Sequence, residues 1–115
     1  MSGLAADLLV DLPGADVRSI LVLFGTDLDR LLPEIARAAD GADAEAFRRA
    51  CHAIAGAAGA VGAAALEAAS RHGMALARTP QPTRAALATA ALAVAEATSS
   101  VRAELAPLIA RLPQS

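Results

Sequence analysis

Phe47 to Gly62 reads FRRACHAIAGAAGAVG, and the fold and function of the chain turn on how this stretch is wound. As a helix of 3.6 residues per turn, it sets Phe47, Cys51, Ile54, Ala58 and Val61 on one stripe, in alternating steps of four and three. That stripe is a core face. His52 lies off it: at roughly 100° per residue it points about 140° from the stripe centre, towards solvent. Its neighbours on the outer face are Glu45, Arg48, Ala55, Gly56 and Gly59. Gly56 and Gly59 together forgo roughly 1–2 kcal/mol of helix stability relative to alanine. They leave a bare patch where another surface can approach the imidazole. The plain alternative is a surface histidine on an alanine-rich helix, and the pattern by itself leaves both readings open.

Composition sets the outer bounds. The 115 residues have room for one domain with one modest core, and 56% are hydrophobic, much of that alanine. Two phenylalanines, with no tyrosine or tryptophan, and few β-branched runs argue against strands, while alanine is the best helix former. An all-α fold follows. A net charge of −2 lacks the clustered basic face of a nucleic-acid binder. The single cysteine, Cys51, excludes a disulfide within the chain, and no metal-ligand spacing is visible. Cys51 and His52 are adjacent helix positions about 100° apart, so they do not form a facing thiol–imidazole pair. The N-terminal MSGLAADLLVDLPG lacks the basic start of a signal peptide. The longest uncharged stretch, Ala50 to Leu66, is short for a membrane span. A cytoplasmic protein is expected.

Along the chain, Leu4 to Val10 predicts one or two helical turns across the end of a bundle, stopped by Pro13 and Gly14. Asp16, or Asp11, is the candidate cap for the next helix. Val17, Ile20, Leu21, Phe24, Leu28, Leu31, Leu32 and Ile35 trace an amphipathic helix over 16–40. Pro33 bends it, or the helix restarts at Thr26 or Asp27; the unbroken phase of the stripe favours one bent helix. Asp43 caps the His52 helix, 44–60, and a third helix spans 63–78 with Leu66, Ala69, Met74 and Ala77 facing the core. His72, without small residues around it, reads as an ordinary surface histidine. The loop Thr79-Pro-Gln-Pro-Thr83 precedes a helix over 84–106, frayed or bent by Pro107. There Leu87, Val94, Val101 and Leu108 form a heptad-like seam. The expected architecture is an up-down-up-down four-helix bundle with a short extra N-terminal helix.

The central stretch resembles histidine phosphotransfer (Hpt) domains. Those carry His-x-Leu-Lys-Gly-Ser/Ala-Ser/Ala and then Gly-Ala about ten residues after the histidine. Here His52, Ile54, Gly56 and the pair Gly62-Ala63 match, the lead-in from Asp43 through Phe47 is similar, and Leu66 falls on a family leucine. The resemblance extends over Ile20 to Ala77. It departs at Ala55, where the family commonly has lysine, at Ala57 and Ala58, where serine is frequent, and at Gly73 and Met74, which stand where an acidic residue is common. It implies that His52 accepts a phosphoryl group, that Arg48 or Arg49 supplies the positive charge missing at Ala55, and that Glu45, Ala55, Gly56 and Gly59 line the docking surface. It also implies a monomeric carrier without turnover of its own, in a multistep phosphorelay. Its partners are then response-regulator receiver domains and a histidine kinase. It holds no cofactor, and any divalent metal ion comes with the receiver. The imidazole is a competent nitrogen nucleophile near physiological pH. Two other readings remain: a docking module of the same fold that accepts no phosphate, and a helical assembly domain that self-associates through the final seam.

Overall fold

Local signals set where the helices begin and end. In the computed structural model, which describes residues 3–114, the helices are α1 (Ala6–Asp11), α2 (Gly14–Asp40), α3 (Ala44–Val61), α4 (Ala64–Ala77) and α5 (Arg84–Arg111). Asp43 caps α3 by accepting the Ala46 amide at 3.1 Å, and Thr83 caps α5 by accepting the Ala86 amide at 3.0 Å. Gly62, at φ 77°, closes α3. The Ala63 amide then donates to the Ala58 carbonyl at 2.9 Å, the backbone closure that a left-handed glycine allows.

Two boundaries differ from the sequence expectation, and one disputed point is resolved. Neither Asp16 nor Asp11 caps α2; Pro13 does, its carbonyl accepting the Asp16 amide at 3.0 Å and the Val17 amide at 3.1 Å. Proline is preset to φ near −65°, and Asp16 instead places its charge in the first turn, where the helix dipole favours it. Pro33 leaves α2 as one helix, in keeping with the favoured reading. Pro107 does not end α5, which runs on to Arg111. Pro107 and Ala103, the residue whose carbonyl loses its donor, are both exposed, so water can satisfy the orphaned group.

The four long helices pack in a closed circuit, α2 on α3, α3 on α4, α4 on α5 and α5 back on α2, in an elongated body of 47 × 23 × 19 Å. Phe47, Leu21, Leu28, Ile35, Ile54, Leu66 and Leu87 are wholly buried. Each such side chain contributes roughly 1.5–3 kcal/mol relative to exposure. The α5 seam faces inward as expected, with Leu87, Val94 and Val101 buried and Leu108 half-buried, and Leu105, four residues after Val101, is buried with it. Thr98 in this seam is buried and donates its hydroxyl to the Val94 carbonyl at 2.8 Å. The salt bridges Arg102–Asp29 and Arg84–Asp40 strap α5 to α2 at two levels. Both pairs are exposed and add little energy. α1 lies across one end, where the Ala5 amide donates to the Val61 carbonyl at 2.7 Å.

Gly73 explains how closely α3 and α4 approach. A Cβ at Gly73 would lie 2.8 Å from the Cys51 Sγ and 3.3 Å from the Phe47 ring. Glycine ordinarily weakens a helix interior, but at this position in α4 it forms the notch that receives α3. Gly73→Val is expected to destabilise the fold by about 1–3 kcal/mol through overpacking. Cys51→Ala in the same chain should recover part of that loss. Urea unfolding of the two single variants and the double variant checks it, and simple additivity would show that the two positions do not share the contact.

Candidate functional site

His52 stands eight residues into α3 and nine before its end, on the solvent face, while Phe47, Cys51, Ile54, Ala58 and Val61 are buried beneath it. Side chains in a helix lean towards its N-terminus. The imidazole therefore reaches over the turn that holds Arg48 and Arg49, with Glu45 one turn further back. Glu45 and Arg49 are exposed and Arg48 is half-buried.

Arg48 is already engaged. Its Nη2 donates to Glu45 Oε1 at 2.6 Å, and its Nε lies 3.2 and 3.3 Å from the two carboxylate oxygens. The Arg48 hydrogen bond holds the Glu45 carboxyl below its ordinary range, and the charges of Arg48, Arg49 and Arg78 act in the same direction. Glu45 in turn raises the Arg48 guanidinium. Helical phase brings both residues to the His52 face, and their spacing of three is the signal by which the pair could have been read. Arg49 makes no ion pair among the described residues.

The two glycines differ in what they leave open. A Cβ at Gly56 would meet nothing within 4 Å, so this position is the bare spot beside His52. At Gly59 the space is taken from outside: a Cβ there would lie 3.0 Å from Glu67 Oε2. Gly59 seats the Glu67 carboxylate, which also accepts from Arg71 Nη2 at 2.8 Å. The Glu67–Arg71 spacing of four is legible in sequence; its resting place on α3 is not.

Ala55 departs from the expectation outright. It is 3% exposed and not part of the outer surface. Cys51, Ala55 and Gly59 follow one another at intervals of four on one flank of α3, and α4 covers that flank, with Gly73 over Cys51 and Glu67 over Gly59. The opposite flank, carrying Arg49 and Ala53, borders α2. Ser70, on the inner face of α4, is buried with its hydroxyl unpartnered among the described residues. His72 is exposed, as expected.

The arrangement offers an accessible nitrogen nucleophile on a stiff helix, a cation–anion pair one turn beneath it and open space one turn above it. No described helix is long and apolar enough to cross a membrane. Among the described residues no group of three His, Cys, Asp or Glu side chains is placed to hold a metal ion.

Comparison with known proteins agrees with this geometry. The family model of the Hpt domain matches residues 19–111, from the early turns of α2 to the last residue of α5. No curated protein and no solved structure gives a significant match.

Cys51 is the other nucleophile near the site. Burial pushes its thiol up to about 11, which leaves it protonated and inert near neutral pH. Alkylation by iodoacetamide at about pH 8 is expected to be slow in the folded protein and fast in urea, because the reactive thiolate forms at its usual value near 8.5 only once exposed. Rapid alkylation of the folded chain would show that the α3–α4 interface opens.

Proposed function

Because the chain belongs to the Hpt domain family, the phosphotransfer modules of two-component signalling, we propose that His52 carries a phosphoryl group between receiver-domain aspartates in a multistep phosphorelay. The observation that carries this reading is the exposed imidazole midway along α3, beside the open position at Gly56. Residues 1–115 then act as one monomeric, cytoplasmic carrier domain, with receiver domains and a histidine kinase as partners.

In the transfer, a ring nitrogen of His52 directs its lone pair at the phosphorus of an aspartyl phosphate. The N–P bond forms as the acyl P–O bond breaks, and the electron pair leaves on the aspartate carboxylate. The proton on the other ring nitrogen stays in place, so the step needs no separate base on this chain. The return transfer to a second aspartate is the reverse. A divalent cation, if the receiver brings one, would supply charge neutralisation at the phosphoryl oxygens, while this chain contributes the imidazole and its neighbouring guanidinium groups.

What this chain supplies is access and positive charge. Arg49 makes no ion pair among the described residues and stands one turn from His52; Arg48 can exchange the Glu45 carboxylate for phosphoryl oxygens, since a surface pair of this kind is held weakly. Guanidinium forks match phosphoryl oxygens in bidentate geometry. Glu45, Gly56 and the rim of Gly59 form the docking face around the nucleophile. Ala55, being covered by α4, takes no part. One observation favours the second reading, a docking module that accepts no phosphate: the described site has no lysine after the histidine, and Arg48 is occupied by Glu45.

Incubation with phosphorylated receivers separates the two. Wild type is expected to take up an acid-labile label and His52→Gln none. Arg48→Ala should slow transfer about two- to tenfold, the range of one charge-assisted hydrogen bond at a surface, with thermal stability nearly unchanged. Gly56→Leu should remain folded, because leucine is the better helix former and the position is open, yet lose transfer through obstruction. Receiver binding without any label on wild type would establish the docking module instead.

A further inference from the structure

Arg30 and Arg37 on α2 and Arg49 on α3 line one open groove of about 520 Å³, together with Glu34 and Asp43. The carboxylates do not quench it. Asp43 keeps its charge while accepting the Ala46 amide as the cap of α3, and Glu34 keeps its own, so two negative charges face three positive ones. Among the described residues Arg37 and Arg49 make no ion pair, and Arg30 has only a 3.8 Å approach to Asp27. Three guanidinium groups against two carboxylates make the groove basic on a chain whose net charge is −2. Its position is specific as well. Arg49 lies one turn before His52 and Ala53 directly after it, and both line the groove. The groove therefore opens onto the face that presents the imidazole.

We propose that this groove selects the partner by taking carboxylate side chains from the acidic rim of a receiver domain docked over His52. The inference rests on the phosphocarrier reading and adds the surface that chooses among partners. A domain that presents an aspartyl phosphate and holds a divalent cation needs carboxylates around the reacting atom, so its docking face is anionic. Arg30 and Arg37 stand on a different helix from the nucleophile and act on the approach and register of the partner, where complementary charge changes association rate and partner choice most. Ordinary salt screens such contacts.

Two phosphodonors test it. Phosphoramidate reaches His52 without docking, whereas a phosphorylated receiver must dock. The variants are Arg37→Glu and Arg30→Glu/Arg37→Glu, checked for wild-type helicity by circular dichroism, and the receivers are the domains of the host that label wild type. Transfer from the receiver is expected to fall about tenfold or more at low salt, with the difference from wild type shrinking at about 0.5 M salt. Labelling by phosphoramidate should stay unchanged. Reversing an acidic residue on the receiver's docking rim to arginine should restore transfer to the reversed variant. Equal transfer from the receiver to all variants would overturn the groove and leave the carrier standing. A loss with both donors would overturn the groove too, by placing the defect in the nucleophile's own surroundings. No label on wild type from either donor would overturn the carrier reading and the groove with it.

Discussion

The close seat of α3 on α4 is the constraint on which the rest of the molecule depends. Gly73 admits the Cys51 sulfur and the Phe47 ring to a distance that no side chain at that position would allow. With that contact made, the rotation of α3 about its own axis is fixed. The stripe from Phe47 to Val61 is committed to the core, and His52 can only face outwards. A half-step rotation would bury the imidazole without a partner and expose Cys51 and Ile54, which the packing of a close-filled core does not tolerate. The orientation of the nucleophile is thus set from the opposite side of its helix.

The same seat sorts the outer surface into three parts. One flank of α3, through Ala55, is roofed by α4, and Glu67 is laid across Gly59. The other flank faces α2 across the arginine-lined groove. Between them runs the narrow strip that carries His52 and Gly56. The chemistry available to a visitor is therefore asymmetric: a carboxylate–guanidinium pair on the α4 side, and on the α2 side the guanidinium groups of Arg37 and Arg49, which make no ion pair among the described residues.

Much of this was legible in the sequence where the information is local. Asp43, Thr83 and Gly62 act within a few residues of themselves, and their capping roles follow from residue type and position alone. The phase of the apolar stripe placed His52 outside and Cys51 inside for the same reason. The misreadings concern relations between helices. Periodicity assigns Ala55 to the outer half of α3, but how far a neighbouring helix wraps around that half depends on the residues facing it, and Gly73 draws α4 unusually close. Glu67 on Gly59 is invisible for the same reason. The bounds of α2 and α5 erred differently. Pro13 took over a cap that the rule assigns to aspartate, and Pro107 proved harmless because its missing hydrogen bond falls on the wet side of α5. The Glu45–Arg48 pair was within reach of sequence reasoning, since a spacing of three on one helix face brings such side chains together.

His52 sits deep within a helix whose two ends are each closed, by the Asp43 carboxylate at one and by the left-handed turn at Gly62 at the other, where the Ala5 amide also binds the Val61 carbonyl. Fraying, which begins at helix termini, stops short of it. An acceptor mounted this way loses little conformational entropy when a partner arrives, because no loop has to order around it. Such a surface has no means of reshaping itself for one visitor and not another. Discrimination has to be written into static relief and fixed charge before the encounter, and the recognising partner must carry whatever mobility the complex requires.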